Sequence, residues 1–526
     1  MSEMLQKIDN SIIKKNESFA AKAETLKPTL LQREQRPERI VRVVPDEQVI
    51  HGWRVEQEEA AVAEHLPARV LGKGDQVIVD FGDHQVGSLS IKIKPVGSPP
   101  DAPLYLKLTF GEMPVEMAVP FFEYDGWLSR SWLQEEYVHV DVLPGVLKLD
   151  RRYSFRYLKL EVVDTSPKYK VSFEDICCTT VTSGDRNRVR ELHHSDPELQ
   201  AIDRVSIKTL EDCMQEVFED GPKRDRRLWL GDLRLQAIAN YDTFQNNELV
   251  KRCLYLFAAF PNDKGQVAAN LFIKPEVIPD DTFLFDYSLL FVSTLHDYYL
   301  VTKDQETLEE LWPTALRQIE IGLEQLDERL IVQDSEIWYS FIDWHPELNK
   351  QAPSQAVLIY AMKQALHLAE LLQDDSRDVL RRQIDEVQAA AIQHLWSEVE
   401  QYFVSGKGRQ VSWATQVWMV LAGVLDKEKS RELLLRLLAE QPGIPLMTPY
   451  MMHHLIEALI QVGERDRAIL EMKQYWGGMV RDGADTFWEL YDLHNKKFSP
   501  YGSYLINSYC HAWSCTPTYF IRKYKL

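Results

Sequence analysis

Five runs in the first third of the chain alternate apolar and polar residues at period two: QVIVDFG (76–82), SLSIKIKPV (88–96), LYLKLTFGE (104–112), EEYVHVDVLPG (135–145) and RYLKLEVVD (156–164). Turn-forming Gly, Pro and Asp bound them, as in GSPPDAP. Such alternation gives a strand one buried and one wet face, the pattern of packed antiparallel sheets. Residues 40–185 are therefore read as a β-sandwich, and residues 1–39 as a polar, partly helical arm.

After about residue 190 the period becomes 3.6. Ser195-Asp196-Pro197-Glu198 reads as a helix start, with Ser as cap, Pro in the first turn and Glu three residues past the cap. The pattern predicts helices from there to about 217, then at 230–245, 247–259, 283–301, 305–311, 313–328, 354–373, 376–398, 411–424, 427–439, 449–462, 465–479 and 503–510. Many are apolar on more than one face, which suits a closed double layer of helices over residues 186–526. A helical solenoid would show a fixed repeat, and none is visible.

Composition narrows the class. The 526 residues allow two to four domains, and 45 % apolar with 27 % charged residues is a globular balance. Sixty Lys+Arg against 80 Asp+Glu give a net charge of −20, which argues against nucleic acid and anionic membrane surfaces as partners. The opening residues show no secretory signal, and the apolar run at 283–295 is broken by Asp286. Six cysteines make no disulfide framework, so the expected location is cytoplasmic.

Three polar clusters could carry chemistry. The first is Glu219-Asp220-Gly221-Pro222-Lys223-Arg224-Asp225-Arg226-Arg227-Leu228-Trp229-Leu230-Gly231-Asp232, where Pro222 forces a loop. Leu228, Trp229 and Leu230 would draw its charges inward, and buried carboxylates must be paired or protonated. The second joins Asp485-Thr486-Phe487-Trp488-Glu489 to Cys510-His511-Ala512-Trp513-Ser514. On its own, Glu489 reads more readily as a helix-start acid and His511 as a core histidine. The third sets acids beside aromatics, at Asp280-Asp281, Asp286-Tyr287 and Phe341-Ile342-Asp343-Trp344-His345, a combination that suits sugar hydroxyls and ring faces. His193-His194 and His453-His454 are adjacent pairs with no metal-ligand spacing, and there is no Walker loop, GxGxxG or GxSxG, so no metal or cofactor is expected.

In combination these segments resemble the bacterial α-L-rhamnosidases of glycoside hydrolase family 78. Asp220-Gly-Pro…Arg224-Asp225…Trp229-Leu-Gly-Asp232, Thr486-Phe-Trp-Glu489 and His511-Ala-Trp-Ser carry the likeness, supported by Asp80-Phe-Gly, Ser131-Trp-Leu-Gln-Glu-Glu136, Arg151-Arg-Tyr-Ser-Phe-Arg-Tyr157, Ser412-Trp-Ala-Thr-Gln416 and Trp476-Gly-Gly-Met479. It spans about residues 60–522 and implies an N-terminal antiparallel β-sandwich followed by an all-α (α/α)6 barrel. It also implies metal-independent, inverting hydrolysis of terminal α-L-rhamnose by two carboxyl groups, which must stand roughly 6.5–9.5 Å apart to admit a water.

By resemblance Glu489 is the general base. The family's common pattern, Arg-Asp-Glu-Arg-Leu-Gly-Trp-x-Gly-Asp, has Glu as acid. Here the stretch is one residue shorter, and counting back from Asp232 puts the acid on Asp225. Asp reaches one methylene less far, and misplacement of that order costs ~100-fold. Asp220 and Arg224 match the rhamnose-hydroxyl ligands and Asp232 an acid near the site. Trp229 and Trp344 look like sugar-stacking walls, and His511 like a ligand near the base. Asp286, Tyr287, Asp343 and Trp488 complete the predicted substrate contacts. Relatives usually continue into a C-terminal β-domain, whereas this chain ends at Leu526, so a compact barrel capped by a second copy in a homodimer is expected. The expected partners are small rhamnosides or rhamno-oligosaccharides. Two other readings stay open: a glycosidase or phosphorylase acting on another terminal sugar, and a catalytically silent carbohydrate-binding protein.

Overall fold

A computed structural model describes residues 10–60, 62–333 and 340–526 of the chain. The first nine residues of the predicted arm lie outside them. The rest of the arm packs against both domains. Its helix α1 (Glu17–Thr25), capped by Asn16, lies on the helical domain, where Asn16 N donates to Ala259 O at 2.8 Å. Strand β1 (Leu31–Gln35) then joins the sheet.

Pairing unites the strands in one eight-stranded antiparallel sheet rather than two separate ones. It contains β1, β2 (Arg39–Pro45), β3 (Trp53–Ala60), β4 (Gln76–Gly97), β5 (Leu104–Gly111), β6 (Glu135–Val140), β7 (Gly145–Asp164) and β8 (Tyr169–Thr182), in the order β1-β8-β4-β7-β5-β6 with β2 and β3 branching from β4. The runs at 76–82 and 88–96 are thus one strand, bent where its register with β7 shifts between Asp80 and Gln85 and again after Gly87. Gly87 is required there, since a Cβ would stand 2.2 Å from Thr179 O. Alternation places Val77, Val79, Ile91, Leu106, Phe110, Leu158 and Leu160 in one apolar core.

The helical domain follows, with α4 (Pro197–Cys213), α5 (Leu230–Tyr241), α6 (Asn247–Ala259), α7 (Phe285–Thr302), α8 (Gln305–Leu323), α9 (Gln351–Leu372), α10 (Arg377–Leu395), α11 (Trp413–Leu421), α12 (Lys427–Glu440), α13 (Pro449–Val462), α14 (Arg465–Arg481) and α15 (Pro517–Tyr524). Two short helices, α2 (Val62–His65) and α3 (Pro114–Ala118), belong to the sheet domain. The cap of α4 is Asp196, not Ser195: its carboxylate accepts from Glu198 N at 2.9 Å and Leu199 N at 3.4 Å.

Helices α5, α7, α9, α11 and α13 touch in succession, and the turn Ala512–Ser514 meets both α5 and α13. Buried residues fill α5 from Leu230 to Asn240, whereas α12 buries only a stripe (Leu433, Leu434, Leu437, Leu438). These are the signatures of an inner and an outer helix. Among the described residues no helix is long and apolar enough to cross a membrane.

Candidate active site

The loop between α4 and α5 is the first wall. Helix α4 has already ended at Cys213, ahead of Pro222, and Asp225 and Arg226 take consecutive left-handed conformations, φ 63° and 55°. Asp tolerates this region far better than Arg, and two such residues in a row survive only where the surroundings over-determine them. Those surroundings are visible. Asp220 N donates to Arg227 O at 3.1 Å, Arg227 N returns a bond to the Asp220 carboxylate at 3.0 Å, and Ala512 N donates to Asp220 O at 2.7 Å. Lys223, wholly buried, anchors the loop by donating to Glu116 at 2.6 Å and to the carbonyls of Leu505 and Asn507 at 3.2 and 3.1 Å.

The second wall is the loop from Asp485 to Trp513, so Glu489 is not at a helix start. Its carboxylate accepts from Arg224, from Tyr501 Oη at 2.7 Å and from Ser508 N at 3.3 Å, with His511 Nδ1 4.0 Å away. Burial pushes its pKa up, but the Arg224 guanidinium, His511 and these hydrogen bonds outweigh burial and hold it below the usual range, so it is a carboxylate at neutral pH. Arg224 also lies 3.7 Å from Asp225 and sits over the Tyr501 ring at 4.4 Å. One guanidinium therefore stands between Asp225 and Glu489.

Asp220 is buried with no cation in its first ring of contacts. Burial, then the negative fields of Asp225 and Asp232, push its pKa well above the usual carboxylate range. Asp232, in the first turn of α5, is also pushed up by burial, with His511 Nε2 3.3 Å away. Gly231 beside it lets the Tyr287 ring approach, since a Cβ would be 2.4 Å from it.

An aromatic arc closes the site. Trp229 meets Tyr287 edge-on (6.3 Å), Tyr287 meets Phe341 (5.8 Å), Phe341 stacks on Trp513 (5.6 Å), and Trp344 bridges Trp513 and Tyr501 (5.1 and 5.8 Å). The structure thus gathers Asp220, Arg224, Asp225, Trp229, Asp232, Tyr287, Trp344, Glu489 and His511.

Three predicted contacts have other work. Asp286 accepts from Phe341 N (2.9 Å) and Ile342 N (2.8 Å), and Asp343 from Trp344 N (2.9 Å), Met447 N (2.8 Å) and Thr448 N (3.1 Å). Their carboxylates clamp backbone and position the aromatic arc. Trp488 is 1 % exposed and packs on Tyr491 and Tyr509, a core residue. Tyr501 and Ser508 were not foreseen. Neither adjoins Glu489 in sequence, and no motif marks them.

Two groups of described residues could bring metal ligands together, His84/Asp212/Cys510 and His453/His454/Glu457, each within 4.8 Å. Sequence adjacency had hidden the second. In the first, both His84 nitrogens are engaged, by Asp212 (2.7 Å) and Glu112 (3.1 Å). In the second, the Arg234 guanidinium is 3.5 Å from His454 and 3.7 Å from Glu457, a cation that disfavours another.

Comparison with known proteins gives the family. Residues 37–180 match the glycosyl hydrolase family 78 α-rhamnosidase N-terminal domain, and residues 187–524 the bacterial α-L-rhamnosidase 6 hairpin glycosidase domain. No curated protein matches the chain significantly. Among solved structures, a rhamnosidase from Klebsiella oxytoca with rhamnose bound is 49 % identical over 98 % of this chain and 100 % of that one, with TM-score 0.96. The family 78 rhamnosidase of Bacillus sp. GL1 (21 % identity, TM-score 0.72, 89 % of this chain and 49 % of that one) and a Streptomyces avermitilis α-L-rhamnosidase complexed with L-rhamnose (15 %, 0.66, 94 % and 44 %) share the fold. With both domain models matched in order along the chain, the protein belongs to the bacterial α-L-rhamnosidases of glycoside hydrolase family 78.

Proposed function

We propose that the protein hydrolyses terminal α-L-rhamnosides with inversion, Asp225 acting as general acid and Glu489 as general base. The observation that carries this reading is the pair of carboxylates from opposite ends of the helical domain flanking the single Arg224 guanidinium. The negative field of Asp225 raises the pKa of its buried neighbour Asp220, so the carboxyl groups on the leaving-group side repel one another as anions. Glu489 is ionised, as a base must be. In the step, a water gives a proton to Glu489 while its oxygen bonds to the anomeric carbon. The bond from that carbon to the glycosidic oxygen breaks, and the oxygen takes the proton from Asp225. The arc from Trp229 to Tyr501 offers ring faces to the sugar. The Klebsiella oxytoca rhamnosidase of 49 % identity has rhamnose bound, which supports that sugar here.

The same reading takes the succession of inner helices as an (α/α)6 barrel spanning residues 186–526, the bent sheet of residues 40–185 as a sandwich, and a homodimer as the assembly. It places the protein in the cytoplasm, where its six unpaired, buried thiols stay reduced.

The test is kinetic and stereochemical. Glu489→Gln is expected to lower kcat at least ~10³-fold on any rhamnoside. Asp225→Asn should cost ~10²-fold or more on an alkyl rhamnoside and far less on a nitrophenyl one, whose leaving group needs no proton. NMR of the first-formed rhamnose should show the inverted anomer. Retention defeats the assignment of roles, and rhamnose binding without release from any rhamnoside establishes a silent binding protein.

A further inference from the structure

Tyr501 donates to Glu489 from a stretch of chain that runs from the end of α14 to the 3-10 turn at Tyr504–Ile506 without a helix or strand, and whose residues from Leu493 to Lys497 are exposed. Within it, Tyr501 N donates to Ser499 Oγ at 3.2 Å, a bond between neighbours that shapes a turn but does not fix its place in the site. The grip comes from the other domain. Trp127, between Phe121 and Leu133 of the sheet domain, donates its backbone N to Tyr501 O at 3.2 Å and its indole N to Pro500 O at 3.0 Å, and its ring lies 5.7 Å from the Tyr501 ring. Gly126 permits this approach, since a Cβ there would stand 2.6 Å from Tyr501 O. We infer that Trp127 is a positioning residue for the base: by gripping residues 500 and 501 it keeps the Tyr501 hydroxyl on the Glu489 carboxylate. The inference rests on Glu489 being the general base.

The gripping segment is itself anchored. Phe121 and Leu133, at its two ends, are buried in the apolar core that fills the helical domain, and Tyr124 Oη closes the turn between them on Leu128 O at 3.0 Å. Trp127 nevertheless stays 71 % exposed, so burial of its own ring does not explain its place, whereas two donors and a ring face spent on one short stretch of the other domain do. The groups that face Glu489 are Arg224, with Asp225 behind it, from the loop before α5, Asp232 of α5, and His511 and Tyr501 from the C-terminal loops. Of these, Trp127 contacts Tyr501. A phenol that drifts from its 2.7 Å contact loses the bond steeply, and the carboxylate then loses support for its charged form. The sheet domain thereby reaches the chemistry through one side chain.

The experiment follows the acid limb of kcat/KM on 4-nitrophenyl α-L-rhamnoside in the unmutated protein, Trp127→Ala and Gly126→Ala, each alone and combined with Tyr501→Phe. Trp127→Ala removes a mostly exposed side chain, so the fold should persist, and Gly126→Ala disturbs the same grip by a different route. In each single variant the limb should move to higher pH by at least ~0.3, a twofold change in proton concentration at the midpoint. In the Tyr501→Phe background the shift should vanish, because a residue that acts through the hydroxyl has nothing to act on once it is gone. A shift in either variant that disappears in that background supports the inference. No shift in both, or a shift that persists there, overturns it. A Glu489→Gln variant with undiminished turnover defeats the base assignment itself, whatever Trp127 does.

Discussion

Glu489 shows how a buried acid is kept ionised: burial alone would protonate it, and Arg224, His511, Tyr501 and the Ser508 amide reverse that outcome. Tyr501→Phe removes one bond to the charged form, so the carboxyl pKa must rise. Glu489 then takes its proton at higher pH, and the acid limb of kcat/KM moves upward by about one on the pH scale. An unshifted limb in a pH profile from 3.5 to 8 would show that Tyr501 does not tune the base. The family-like strings around Asp225 and Glu489 were visible in the sequence, and the folded chain brings the two loops that carry them together at Arg224. Tyr501 was not visible there, because its contact arises from how one loop folds back on itself. Asp286 and Asp343 were misread for a related reason. An acid beside an aromatic residue is the same string whether its oxygens hold a sugar or the backbone amides of the next loop.

Periodicity located the long helices, yet it failed where a remote group competes for backbone. The predicted helix at 503–510 is instead a 3-10 turn (Tyr504–Ile506) and extended chain. The carbonyls of Leu505 and Asn507 accept from Lys223, nearly three hundred residues away in sequence, which no local pattern reveals. Conversely, a break expected around Pro313 is absent: α8 runs through it from Gln305 to Leu323. Leu308, Leu311, Trp312, Ala315 and Ile319 are buried on both sides of the proline, and this packing offsets the single lost backbone bond. Lys223 is thus the peg that shapes the loop bearing Ser508. Lys223→Met leaves Glu116 buried without its cation, a cost of about 3–5 kcal/mol. The loosened Ser508 amide should lower kcat more than it raises KM. Thermal unfolding and steady-state kinetics check both, and a variant with wild-type kcat removes Lys223 from the positioning of the base.

The two domains share one buried polar network, so neither is expected to unfold alone. His84 of β4 bridges Asp212 of α4 and Glu112 at the end of β5, and Glu112 accepts from Tyr509 N at 2.8 Å; at the exposed rim of the seam, Trp127 N and indole donate to the carbonyls of Tyr501 (3.2 Å) and Pro500 (3.0 Å). Arg156 extends the seam to Asp485 at 3.4 Å. Breaking the seam would strand charges in the interior, so far-UV and near-UV melting curves should coincide, and two separated transitions would refute the coupling. His84 gives that coupling a pH signature. Burial opposes its charge, yet the carboxylates around it win and its folded pKa lies well above the ordinary 6.5. A group whose pKa is raised by folding stabilises fully below its unfolded value and loses that contribution as pH rises through the folded one. The unmutated protein should therefore lose Tm between pH 6.5 and 9 more steeply than His84→Asn, which lacks the titrating ring. At pH 6.5 the variant should melt lower, since Asp212 and Glu112 lose a shared partner. Parallel Tm profiles for the two proteins would mean that the imidazolium does not hold the domains together, and that the seam rests on its other bonds, among them Lys223 to Glu116 and Tyr509 N to Glu112.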